Sequence, residues 1–202
     1  MRAAEQDEAT IVQARQEWCA ELETIIPERF VFLDESAVLT NMVRIHARSR
    51  RGTRAYGTIA CSHWTRLTVL GALGTEGILA AMSIEAVTDA DVFCAFLDQV
   101  LLPALRQLKP DAVLVMDNLS AHKAKAVREL LDRSEFRYRY LPSYSPDLNP
   151  IEPAWAKMKG QLREVAARTA DALHEALGPA LDAITPQDAK GFFRHAGYVR
   201  PN

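Results

Sequence analysis

Two short apolar runs, each ending in an acid, limit what this 202-residue chain can fold into more than anything else in it. "RFVFLDES" and "AVLVMDN" are nearly continuous in Val, Leu, Phe and Met, and they stop at Asp34 and Asp117. Runs of this length that lack a polar face read as strands buried on both sides, which belong in the middle of a sheet covered by helices. The surrounding order agrees. Ile11, Trp18, Leu22 and Ile25 form the stripe of an N-terminal helix. After the first run, "MVRIHARSRRGTRAYGTIA" alternates and predicts a strand with one basic face, Arg44, His46, Arg48 and Arg50, followed by a turn at Gly52. "TRLTVLGALG" and "GILAAMSIEA" predict two more strands in a meander, joined near Gly74 and Gly77.

Thr88 or Asp89 then caps a helix running to about Leu108, with Val92, Phe96, Leu97, Val100 and Leu101 on its inner face. The second apolar run follows, then an amphipathic helix in "SAHKAKAVRELLDR" capped by Ser120 and an alternating strand in "FRYRYL". Helices to about Arg168, near 170–183 and near 186–195 close the chain. The sum is an α/β fold: a mixed sheet with helices on both faces. In such sheets ligands gather at the carboxyl ends of the central strands, where Asp34 and Asp117 are expected.

At 49% hydrophobic the chain can bury a full core, most simply as one domain. Its net charge of −2 hides an alternation, for residues 41–70 carry six bases and no acid while residues 1–40 carry nine acids and three bases. This is no general polyanion binder, but a local basic surface could meet phosphates. Cys19, Cys61 and Cys94 are scattered, which predicts buried reduced thiols and argues against a disulfide framework or a zinc site. No run of about 18 apolar residues and no signal core are present, so a cytosolic protein away from membranes is expected.

A third acid, Glu152, lies in "LPSYSPDLNPIEPAWAKMKG" at the mouth of a helix. Asn149 suits an N-cap, Pro150 the first helical position, and Glu152 the capping-box place three residues on. Pro153 sits badly with that reading because it removes a backbone donor. Asp34 and Asp117 have similarly ordinary readings as turn residues. Three carboxylates brought together would resist ionisation unless hard divalent cations lay between them, and oxygen ligands suit Mg²⁺ or Mn²⁺. Two such ions can serve phosphodiester cleavage.

These motifs carry a resemblance. "FLDES", "VLVMDNLSAHKAK" and "LPSYSPDLNPIEPAWAKMK", with 34 residues between Asp117 and Glu152, resemble the catalytic core of DDE transposases, in particular the bacterial insertion-sequence branch of the mariner-type superfamily. The likeness runs from about Arg29 to Tyr198, and Ser143 stands where proline is commoner. It implies an RNase H-like five-stranded mixed sheet in residues 27–202, preceded by residues 1–26 as a helical segment; the helix-turn-helix DNA-binding domain usual in that branch is not read in this sequence. It also implies DNA strand cleavage at transposon ends and strand transfer into target DNA. Asp34, Asp117 and Glu152 carry over as catalytic residues and ligands of two Mg²⁺ or Mn²⁺ ions, with Asp34 bridging both. Double-stranded DNA, a homodimer, a longer or upstream-frame transposase, and a bacterial cytoplasm with the nucleoid as working place follow from the same likeness.

Around the acids, Asn118 is a candidate to hydrogen-bond Asp117, and His122 to orient a phosphate or water, with a plain surface histidine as the alternative. Lys159 and Arg163 share the helix face of Glu152 and, with the Arg44–His46–Arg48–Arg50 face, are candidates for DNA backbone contact. Trp155 reads as core packing ahead of base stacking. Two other functions fit the same residues: a non-catalytic remnant that binds a full-length enzyme, and an RNase H-like nuclease without the joining step.

Overall fold

The computed structural model describes residues 4–22, 24–44, 46–58 and 63–198. Five strands form one sheet: β1 (Phe30–Leu39), β2 (Arg66–Gly74), β3 (Gly77–Ile84), β4 (Val113–Met116) and β5 (Arg137–Tyr140), in the order β3-β2-β1-β4-β5. β1, β2 and β3 form the antiparallel meander, whereas β1–β4 and β4–β5 pair in parallel. The two apolar runs are thus the neighbouring central strands, as their composition requires.

Alternation along β1 sends Phe30 and Phe32 to one face and Val31 and Leu33 to the other. The first face packs against α1 (Ala9–Leu22), α5 (Ile151–Val165), α6 (Ala170–Asp182) and α7 (Pro186–His195), with Trp155, Met158 and Phe193 at its centre. The second face packs against α2 (Ala90–Ala95), its continuation α3 (Leu102–Leu108), and α4 (Lys125–Arg133). Between α2 and α3, residues Phe96–Leu101 widen into a π turn just before Pro103, which has no N–H for a regular helical bond. Phe96, Leu97 and Leu101 fill the core there, while Val92 and Val100 are partly buried.

Local signals explain most of the element starts. The Asp89 side chain accepts from the Val92 N–H at 2.9 Å, Thr169 caps α6, and Thr185 and Asp188 form a reciprocal capping box ahead of α7. Helix α1 docks on the core. The Trp18 Nε1 donates to the Tyr198 hydroxyl at 3.1 Å, which donates to the Leu148 carbonyl at 2.7 Å. Arg15 grips Asp147 with both terminal nitrogens at 3.0 and 2.6 Å.

Four expectations are corrected. The strand expected in "MVRIHARSRRGTRAYGTIA" does not form: the described residues of 42–58 hold no strand, and 46–58 are exposed. β2 already takes the neighbouring edge of β1, from Leu39 opposite Arg66, and the arginines of the connecting stretch, Arg44, Arg48, Arg50, Arg51 and Arg54, stay in water. Its turn does occur, with Gly52 at φ +83° and the Thr53 N–H bonded to the Arg50 carbonyl. Ser120 does not cap α4, which begins after Ala124 because residues 120–123 form a turn of their own. Asp34 does not end β1 but lies inside it; what ends there is the parallel pairing with β4, whose last partners are Leu33 and Met116. Finally, Cys19 is exposed and Cys94 half-buried, while Cys61 lies outside the described residues.

Candidate active site

Asp34 follows the last parallel pair of β1, and Asp117 follows β4 directly, so adjacent strands deliver the two acids to the same edge. Glu152 arrives from the first turn of α5, whose start is set by Pro150 with no side-chain cap. Glu152 therefore does not close a capping box: its backbone N–H bonds the Asn149 carbonyl at 3.2 Å, and its side chain is exposed, lining a pocket of about 440 Å³ together with Asp117 and Asn149.

Asp34 faces α5. Its Oδ1 accepts from the Glu35 N–H at 2.8 Å and its Oδ2 from the Trp155 Nε1 at 3.2 Å. Room for that indole comes from Gly71, which pairs with Asp34 across the ladder: a Cβ built there would stand 2.5 Å from the Trp155 ring. Asp34 is 9% exposed, and burial, then the nearby charge of Glu152 and more weakly of Asp117, raise its pKa to about 7. Two carboxylates thus act electrostatically on a buried third.

Glu35 points the other way, because neighbours in a strand face opposite sides. On that side His122 has no exposed surface. Its Nδ1 lies 2.7 Å from Asp117 Oδ1, its Nε2 lies 3.4 Å from Glu35 Oε2, and its ring packs on Phe93 at 4.2 Å. Burial disfavours the imidazolium, but hydrogen bonds to Asp117 and Glu35 outweigh it and raise the His122 pKa to about 9. Burial likewise works against the Asp117 charge, yet the His122 bond, the Leu119 N–H and the charges of His122 and Lys123 hold its pKa below the ordinary value. The two aspartates therefore differ sharply: Asp117 is neutralised by the protein, and Asp34 is not.

The remaining sequence candidates divide. His122 is no surface histidine: fully buried, it ties Asp117 after β4 to Glu35 of β1. Asn118 bonds the Leu141 carbonyl and, at 3.5 Å, the Ser143 hydroxyl, so it holds the loop after β5 and not the Asp117 carboxylate. Lys159 is half-buried; burial lowers its pKa, and the charges of Glu152 and Asp34 act on it, which places this cation beside the acids. Arg163 acts on Lys159 from the next turn. Arg44 pairs with Glu164 at 3.2 Å, and His46, Arg48 and Arg50 lie exposed along the irregular arm. Trp155 packs in the core and also bonds Asp34. Glu35 and Gly71 are the site residues that sequence reading missed. Strand alternation placed Glu35 opposite Asp34, and a glycine inside an apolar strand signals a close approach.

The model of the DDE superfamily endonuclease family matches residues 29–174, which contain all three acids. The chain belongs to this family. Among curated relatives of this DDE endonuclease domain, the Tcb2 transposase of Caenorhabditis briggsae is 31% identical over 102 residues, covering 50% of this chain and 37% of that protein. The Tc1 transposase of Caenorhabditis elegans is 36% identical over 81 residues, or 40% of this chain and 30% of the other. The matches thus span only about a third of those relatives. The fold is that of the Mos1 transposase: the paired-end complex with the left transposon end superposes with a TM-score of 0.79 at 18% identity over 97% of this chain and 60% of that one. The Mos1 mariner catalytic domain alone gives 0.75 at 16% identity, covering 98% and 92%. A Mos1 catalytic domain with raltegravir and Mg gives 0.74 at 16% identity, covering 98% and 94%. The DDE endonuclease domain here is therefore a mixed five-stranded sheet of the RNase H-like kind.

Whether the acids suit a cation is a question of chemistry and of spacing. Their oxygens are hard donors, and a divalent ion would offset both the burial and, after it, the neighbouring negative charge that push Asp34 up. As they stand, no three His, Cys, Asp or Glu side chains among the described residues close around one point. The donor set fits Mg²⁺ or Mn²⁺; the enclosure is incomplete, and the exposed Glu152 is the member free to complete it. No helix among the described residues is long and apolar enough to cross a membrane.

Proposed function

We propose that this domain is the catalytic part of a transposase, cutting DNA strands at transposon ends and joining them to target DNA, with Asp34, Asp117 and Glu152 as metal ligands. One observation carries the reading: Asp34 is buried beside two other carboxylates and lacks the neutralising partner that Asp117 has. Asp34, Asp117 and Glu152 would hold two Mg²⁺ or Mn²⁺ ions, which when bound would supply charge stabilisation for phosphodiester cleavage. The chain's own residues orient that set. Trp155 and the Glu35 N–H fix the Asp34 carboxylate, His122 fixes Asp117, and Lys159 offers a cation to a phosphate lying beside Glu152.

The partner is duplex DNA, both transposon end and target, and a homodimer is the assembly proposed for synapsis. Residues 27–202 are taken as the catalytic domain, 1–26 as a helical segment attached to it, the bacterial insertion-sequence branch as its place in the family, and the bacterial nucleoid as its place of work. The reading is tested by incubating the chain with transposon-end duplex and Mn²⁺ or Mg²⁺ and following nicked and joined products. Cutting is expected and should vanish in Asp117→Asn; a variant that cuts as well as the parent removes Asp117 from the mechanism. Nicking without joined products would instead favour a nuclease.

A further inference from the structure

The loop between β5 and α5 holds a side chain that none of the above employs. Tyr144 is 53% exposed on the rim of the pocket that Asp117 and Glu152 line, and its backbone is left-handed, with φ at +54°. For an aromatic residue that conformation is strained, and strain of this kind persists only where the surroundings enforce it. Here they do. Gln6 donates to the Tyr144 carbonyl, Arg15 and Gln6 bond Asp147, Asn118 holds the Leu141 carbonyl, and the buried Ser145 hydroxyl bonds the Ser143 carbonyl at 3.0 Å. Four anchors keep one aromatic ring in water at the edge of the candidate active site. Asn149 lines the same pocket, and its buried Oδ1 has no hydrogen-bond partner.

We infer that Tyr144 is a stacking platform for one unpaired or displaced nucleobase at the rim of the pocket that Asp117 and Glu152 line, and that the pocket is the subsite for that nucleotide. The inference rests on the transposase reading for which DNA is bound, and adds how. A base inside a duplex has both faces covered by its neighbours, so a single exposed ring can stack only on a base that has left the helix or never paired. A pocket of about 440 Å³ is in the range of a small-molecule site and takes one nucleotide, not a stretch of duplex. Stacking is indifferent to base identity, so the subsite selects for strand state and not for sequence.

The test uses the full chain, Ca²⁺ to prevent cutting, and two probes of the same sequence: a blunt duplex and one with a short single-stranded extension carrying 2-aminopurine. Wild type is expected to prefer the extended probe and to quench its fluorescence. Tyr144→Phe should keep both properties. Tyr144→Asn should lose the preference, by roughly five- to a hundred-fold in affinity for the extension, while melting no lower than wild type, because asparagine accepts the left-handed backbone. That combination separates a binding role from a structural one. Equal quenching by wild type and Tyr144→Asn overturns the inference, as does wild-type binding that ignores the extension. Metal-dependent nicking measured in parallel keeps the two readings apart. Nicking without extension preference sinks the platform alone, whereas preference and quenching without nicking uphold the platform and sink the catalysis.

Discussion

The buried, uncompensated carboxylate of Asp34 should make the folded protein less stable at pH 8 than at pH 4, and Asp34→Asn measures by how much. The unfolded chain releases this proton near the ordinary carboxylate value of 3.8; the folded chain holds it to about 7. Between those values the native state binds more protons, so stability falls as pH rises through the window and stays low above it. At 1.36 kcal/mol per pH unit, the gap corresponds to about 4 kcal/mol lost by pH 8 relative to pH 4. Asparagine removes the charge but leaves one of two donors, the Glu35 N–H or the Trp155 Nε1, without its acceptor, at about 1 kcal/mol. The net gain is about 3 kcal/mol at pH 8, or roughly 6–12 °C in Tm for a chain of this size, and it turns into a loss of about 1 kcal/mol at pH 4, where only the orphaned donor counts. Melting curves of both proteins in EDTA at about pH 4.5 and 8 read this directly. Excess MgCl₂ or MnCl₂ at the higher pH should then raise the wild type and leave Asp34→Asn nearly unmoved, since a ligand stabilises only the state that binds it. A Tm difference between the two proteins that stays constant with pH would refute the charge argument outright.

Gly71→Ala forces a methyl group to within 2.5 Å of the Trp155 ring; a loss of about 1–3 kcal/mol in urea unfolding is expected, together with slower cutting, because the indole bonds Asp34. His122→Ala leaves Asp117 and Glu35 without the group between them and opens a space beside Phe93; a loss of about 3 kcal/mol is expected, also read by urea. Lys159→Gln should weaken duplex binding alike for all sequences and reduce the log–log salt slope by about one, measured by fluorescence anisotropy across a salt series.

The sheet and its covering helices were legible because their signals are local. Apolar runs without a polar face, the capping residues Asp89, Thr169 and Thr185, and the glycines around the β2–β3 turn each state their structure within a few residues. The three acids were legible as a set because strand ends and helix starts are where such sheets gather ligands. What failed were statements that depend on a partner elsewhere in the chain. The Arg44–Arg50 stretch alternates as a strand would, but the edge of β1 that it follows is already taken by β2. Asn118 sits beside Asp117 in sequence, yet its amide reaches across to Leu141. His122 looked like a residue for solvent or phosphate, and only the packing of Phe93 and the reach of Glu35 from another strand show it buried.

The pair Asp34–Glu35 shows how much one dipeptide can do when it falls at the place where a strand changes partners. Up to Leu33 the β1 strand is covered by β4 on one side; beyond it that side opens, while β2 continues on the other. Period-two alternation then sends Asp34 toward α5 and Glu35 toward α4. Each face of the sheet thereby grips the site with its own buried ring, Trp155 on one side and His122 on the other. The two rings do opposite electrostatic work. Trp155 is a neutral donor that orients a carboxylate without cancelling its charge, so Asp34 keeps an unmet demand for a cation. His122 sits between two carboxylates and meets theirs, so Asp117 is held in place as an anion whether or not anything is bound. A site built this way keeps one acid fixed and one acid wanting, and the wanting one is the most buried of the three, with Asp117 half-buried and Glu152 exposed on the first turn of α5.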